Sequence, residues 1–228
     1  MNKRLRLTRG RLIALIIGTP LVLVLIAGVA IIEVAHAGEG SYRVRLSIPV
    51  RAHSVEISLD SGDLHAHQAT SARLEVNGIA IYSLVRSSVT SVNTRSGTSV
   101  VSRCHFVFWI CSFDYQVGVP VGTAETFSDG TGDITVTGIS NSIVTASDGA
   151  GNITLTFSKV PSRVMVTDAF GEVEIVLPAG LTVYHVITQA QFGKSSIGVP
   201  TSPQSKHLIN VTNASGNVTI TASPANRH

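Results

Sequence analysis

Acidic residues recur beside repeated glycines in this chain, and that spacing raises the question of chemistry first. Asp129, Asp133, Asp148 and Asp168 each lie within three residues of a glycine that heads an alternating apolar stretch. Carboxylates held ~5–9 Å apart across a groove serve glycoside hydrolysis. The run Asp129-Gly130-Thr131-Gly132-Asp133 also places two carboxylates on a glycine-rich turn, which suits a hard cation such as calcium. It lacks the complete EF-hand ligand set and the calcium-binding nonapeptide, and the carboxylates thin out in later copies. An Asp that recurs with a turn bonds its own downstream amides, so these residues are expected to serve the turn. His65 and His67 share one strand face without an identifiable third ligand, and no GxSxG turn offers a serine nucleophile. No catalytic, cofactor-binding or metal-binding residue is assigned, and a non-enzymatic protein without a cofactor is expected.

Cys104 and Cys111 flank HFVFWI, which holds Phe106, Phe108 and Trp109. With no CxxC spacing a zinc site is not expected, and the pair is read as a disulfide within a short hairpin. The aromatic stretch is read as core; an apolar loop touching lipid or a partner is the alternative.

The elements that carry these residues repeat. SDGTGDITVT (Ser128–Thr137) returns as SDGAGNITLT, TDAFGEVEIV and TNASGNVTIT, with central glycines Gly132, Gly151, Gly171 and Gly216. The steps are 19, 20 and 45 residues, and the last holds two slightly longer units, the second centred on Gly193 in QFGKSSIGV. A period near 20 residues, made of turn residues and β-formers, predicts an all-β fold of the β-solenoid kind. Ile134/Val136, Ile153/Leu155, Val173/Ile175 and Val218/Ile220 should point inward, with Thr135, Thr154, Glu174 and Thr219 outward. A preceding strand should turn Val144/Ala146, Val164/Val166 and Ile209/Val211 inward, a register that breaks at Glu125/Phe127 in the first copy.

Upstream, Val44, Leu46 and Ile48 share one face, as do Val55, Ile57 and Leu59, and Asp60–Leu64 resembles an early glycine turn. Arg73–Val76 and Ile79–Val85 read as two strands joined by a tight Asn77-Gly78 turn, and Gly97 marks a turn within 86–103. Pro120 and Pro178, each in an apolar-Pro-x-Gly run, should end strands. No 3.6-residue apolar stripe follows residue 37, so almost no helix is expected there.

Residues 12–32 carry no charge, and five Lys and Arg precede them. About 20 apolar residues span a bilayer, and the basic flank places the N-terminus in the cytoplasm. The expected layout is a cytoplasmic tail (1–11), a transmembrane signal anchor (12–34), a linker (35–42), an extracytoplasmic domain (43–223) and a short tail (224–228). Cleavage near Ala37, after Ala35-His36-Ala37, is the alternative and would release the domain as a secreted protein. Setting aside the basic tail and Glu33, 12 of the 17 Lys and Arg face 13 of the 14 Asp and Glu. The exported part thus lacks the net basicity of a nucleic-acid binder, and no nucleic-acid partner is expected.

The runs DYQVGVPVGT, SDGTGDITVTGIS, SDGAGNITLT, VMVTDAFGEVEIVLPAG and INVTNASGNVTIT resemble the putative-adhesin domain family known as DUF4097, over roughly residues 42–222. The resemblance implies a bacterial β-solenoid, often behind an N-terminal membrane segment, with no established catalytic residues to carry over. The third copy departs from the family pattern at Phe170 and Glu172. The function expected is binding or structure at the cell envelope, with a surface polymer or envelope protein as partner. An envelope-stress sensor acting through a membrane partner is the alternative, and a carbohydrate-active enzyme the third possibility.

Overall fold

The computed structural model describes residues 39–51, 53–105 and 110–224. The expected membrane anchor and cytoplasmic tail, the aromatic residues Phe106, Phe108 and Trp109, and residues 225–228 lie outside the described residues.

Seventeen strands follow one another, and no helix occurs among the described residues. They are β1 (Glu39–Pro49), β2 (Ser54–Leu59), β3 (Gly62–Ala69), β4 (Arg73–Ser83), β5 (Ser88–Asn93), β6 (Thr98–Arg103), β7 (Cys111–Pro120), β8 (Ala124–Asp129), β9 (Ile134–Ile139), β10 (Ile143–Asp148), β11 (Ile153–Phe157), β12 (Arg163–Phe170), β13 (Val173–Leu177), β14 (His185–Phe192), β15 (Ser195–Ile197), β16 (Leu208–Ser215) and β17 (Val218–Ala222). The fold is all-β, with two large mixed sheets. The nine-stranded sheet runs β1-β4-β7-β3-β9-β11-β13-β17-β15, and the eight-stranded sheet runs β14-β16-β12-β10-β8-β2-β6-β5.

Each glycine turn hands the chain from a strand of the eight-stranded sheet to a strand of the nine-stranded one, as in β8→β9, β10→β11 and β12→β13. Successive rungs then pair in parallel and in register: Ile153 lies between Ile134 and Val173, and Ala146 between Phe127 and Val166. The alternation of β-branched and polar residues makes this possible, because one set of side chains always faces the other sheet. The inward residues of both sheets form one core cluster, and the four expected inward pairs after the glycines are all buried.

Glycine is required where the rungs meet. A Cβ on Gly151 would lie 1.7 Å from the Gly132 carbonyl oxygen, and one on Gly216 would lie 1.7 Å from that of Gly171. The turns stack backbone on backbone, and a side chain would force them apart.

In space the rungs run β6/β7, β2/β3, β8/β9, β10/β11, β12/β13, β16/β17, β14/β15. Both ends therefore depart from chain order. The Gly193 unit, expected between Gly171 and Gly216, is the outermost rung instead, paired only to β16 and β17. The reason is composition. Ile209, Val211, Val218 and Ile220 suit an interior rung, whereas the matching residues Val186, Thr188, Ser195 and Ile197 leave the end rung partly exposed.

Other expectations are corrected too. Asn77-Gly78 is no turn: β4 runs through it, paired antiparallel to β1 on one side and β7 on the other. Gly78 is needed for close approach, since its Cβ would meet the Asp114 carbonyl at 2.0 Å and the Tyr115 ring at 2.6 Å. Cys104 and Cys111 are bonded, but not within a hairpin. β6 and β7 belong to different sheets, and the disulfide closes the sheet-to-sheet connection where later rungs have a glycine turn. β1 begins at Glu39, inside the stretch 35–42 expected as a linker, because it pairs along its whole length with β4. Finally, the register does not break at the first copy: Glu125 and Phe127 both point inward and are buried.

Candidate functional site

The recurring acids divide between two environments. Asp129 and Asp148 end β8 and β10, Asp168 lies two residues before the end of β12, and the three stack in register and are buried under the glycine turns. One oxygen of Asp129 accepts the Thr131 amide and one of Asp148 accepts the Ala150 amide, both at 3.3 Å. Their turn role was thus visible in the sequence. Their second oxygens, Oδ2, have no partner. Neither carboxyl oxygen of Asp168 has a hydrogen-bond partner. Burial pushes Asp129 up to about 7 and Asp168 up to about 6, and raises Asp148 as well. In the next rung Asn213 takes this place and donates from Nδ2 to the Gly171 carbonyl at 2.9 Å.

Asp133 lies on the opposite side of the turn, on the outer face. There it begins a ladder of side-chain acceptors. Asp63 Oδ1 accepts the Asp133 amide (3.1 Å), Asp133 Oδ1 the Asn152 amide (2.8 Å), and Asn152 Oδ1 the Glu172 amide (3.0 Å). Asp129 and Asp133 therefore do not converge on a shared cation. His65 and His67 also lie on this outer face, in register with Thr135 and Thr137. No cluster of three or more His, Cys, Asp or Glu that could hold a metal occurs among the described residues. A shallow concavity of about 290 Å³ on this face is walled by Asp133, Asn152, Glu172, Glu174 and two threonines.

The most elaborate polar arrangement is at the other end of the rungs, around Pro120–Thr123. Glu125 stands between Val55 and Val144, in a row that continues through Val164 and Ile209, and is only 2% exposed. Asn141, on the β9–β10 connection, donates from Nδ2 to Glu125 Oε1 and to the Pro120 carbonyl (3.1 Å), and its Oδ1 accepts the Gly122 amide. Thr123 donates to the Pro120 carbonyl at 3.0 Å. Glu125 Oε2 has no partner, and burial raises the Glu125 pKa to about 7. Two concavities of about 460 and 420 Å³ flank this turn and share Val121, Gly122, Thr123 and His53 as a common wall. Arg51 and Lys159 line one each, and no carboxylate lines either. Sequence reasoning did not single out Asn141, His53 or Lys159. The available signal was Glu125, a charged residue where the repeat demands an apolar one.

No protein-family model matches the chain, and no curated protein matches it. Among solved structures, a putative cell adhesion protein from Clostridium sporogenes aligns over 81% of this chain and 100% of its own, with 14% identity and a TM-score of 0.57. A putative adhesin from Bacteroides fragilis aligns over 80% of this chain and 97% of its own, at 12% identity and a TM-score of 0.34. The first of these shares the fold.

Proposed function

We propose that the chain is a membrane-anchored, non-enzymatic adhesin-like protein whose β-solenoid lies outside the cell. Residues 12–34 would span the membrane with 1–11 in the cytoplasm, and the strands from Glu39 to Ala222 would form the displayed domain. The stacked parallel rungs support the solenoid description, since each turn of chain adds one strand to each sheet. The observation that carries the adhesin reading is the fold shared with the Clostridium protein along that protein's whole length. Rows of Thr, Asn and acidic side chains on the outer face, one per rung, give a stiff repeating surface of the kind extended binding modules use.

The test expresses the full-length chain in a non-adherent bacterium. Protease added to intact cells should digest the domain, and the cells should be retained on a polysaccharide- or protein-coated surface above the level of an empty-vector strain. A domain that becomes protease-accessible only after lysis removes the topology. Unchanged retention with the domain accessible removes the adhesive role.

A further inference from the structure

The shape of the Pro120–Thr123 turn follows from the rung order. β7 pairs with β3 on the side away from β9, and β8 pairs with β2 on the side away from β6. The β7→β8 connection must therefore step past the whole β2/β3 rung, as β13→β14 steps past β16/β17, where β9→β10 and β11→β12 simply turn into the next rung. Hollows remain on both sides of it: one against Val50, Arg51, His53 and 70–72, the other against 140–143 and Lys159. Each volume falls in the ~300–1,000 Å³ range of ligand clefts.

The crossing is also held firmly. Asn141 bonds Gly122, Pro120 and Glu125 at once, and both Asn141 and Glu125 are at least 97% shielded from solvent. Putting a carboxyl between Val55 and Val144 costs stability, and a chain departs from its own repeat in this way where a site needs positioning. A rigid wall lowers the ordering cost of binding.

The walls define the ligand chemistry. Arg51 and Lys159 supply positive charge, His53 a ring nitrogen, and Ser71, Ser140 and Ser142 hydroxyls, and among the described residues no carboxylate opposes them. Cationic side chains among hydroxyls match a polymer of sugar hydroxyls that bears anionic groups. Single-stranded nucleic acid favours Phe, Tyr or Trp faces for its bases; among the described residues none of these lines the walls. We propose that the paired hollows around Pro120–Thr123 form one groove that binds an anionic glycan, with Arg51, His53 and Lys159 facing its acidic groups.

This rests on the adhesin reading, and the experiment separates the two. The full-length chain in detergent is titrated with alginate oligosaccharides, dextran sulfate, neutral dextran and polyglutamate. Alginate or dextran sulfate should bind, the choice between them telling carboxylate from sulfate, while dextran and polyglutamate bind at least about tenfold more weakly. Lys159→Glu should weaken glycan binding about tenfold with an unchanged thermal midpoint, and Lys194→Glu, the same charge change on the end rung, should leave it within about twofold. The basic N-terminal tail is common to all variants, so it cannot produce this difference. Equal binding of polyglutamate, equal loss in both variants, or no binding of either anionic glycan overturns the proposal. Retention of cells on a surface without glycan binding would remove the groove's ligand and leave the adhesin reading standing.

Discussion

Replacing Asp168 with Asn should stabilise the protein at pH 8 and do little at about pH 3, below both the folded and the unfolded pKa. Asp168 is buried, and its pKa is raised from 3.8 to about 6 by burial and by the neighbouring Asp148 carboxyl. A carboxyl whose folded pKa lies above its unfolded one holds its proton more tightly when folded. Stability is therefore greatest at acid pH and falls as pH rises from about 4 through about 6, then levels off. At 1.36 kcal/mol per pH unit the gap sets a ceiling of ~3 kcal/mol. The turn lies at the edge of the stack, where solvent screens it, so about 1–2 kcal/mol is expected. Asn removes the ionisation and can donate toward the Gly151 carbonyl, as Asn213 does to that of Gly171. Urea unfolding followed by circular dichroism at both pH values reads the difference, with a midpoint gain for Asp168→Asn at pH 8 only. An equal change at both pH values would show that ionisation is not responsible, and a loss above about 1 kcal/mol at pH 8 would refute the reasoning.

Gly151→Ala should cost about 3 kcal/mol or more, because its Cβ would lie 1.7 Å from the Gly132 carbonyl. Gly138→Ala, at φ +68° with nothing within 4 Å of its Cβ, should cost only about 1 kcal/mol; urea midpoints of the two variants must keep that order. Ile153→Asp places a charge in a fully buried row shared with Ile134 and Val173. It should cost above about 4 kcal/mol and abolish the cooperative melt, and a retained midpoint with β-type circular dichroism would contradict the inward assignment. Reducing Cys104–Cys111, seven residues apart, should lower stability by about 2 kcal/mol through released loop entropy; an unchanged melting temperature in reductant would show that the connection is held by packing alone.

The repeat was legible because each rung obeys the same local physics. Gly132, Gly151, Gly171 and Gly216 announce the turns, and the alternation after each glycine fixes which side chains face the core. Local pattern specifies what a rung is and says little about which rung lies next to it. The Gly193 unit looked like another interior copy because its glycine and spacing match. Its place at the end follows from the weak apolar content of Thr188, Ser195 and their neighbours, a comparison between units that no single unit reveals. Asn77-Gly78 misled for a related reason. The dipeptide favours a turn in isolation, but β1 and β7 claim the backbone on both sides of it, and Tyr115 fills the space a side chain would need.

The candidate groove was hidden by the same limit. Arg51, Ser71, Gly122, Ser140 and Lys159 come from five separate parts of the chain and meet because the β7→β8 connection steps past a rung. Glu125 alone showed in the sequence, as an acid where Val144, Val164 and Ile209 stand in later copies. It looked like a frayed start to the array. In the structure it is an interior residue in full register, and its bond to Asn141 ties the crossing to the core. The acids at Asp129, Asp148 and Asp168 looked more like a site because they repeat, yet repetition marks what every rung needs in order to stack. A departure from the repeat, kept at the cost of burying a carboxyl, is the stronger indication of something only one place in the molecule does.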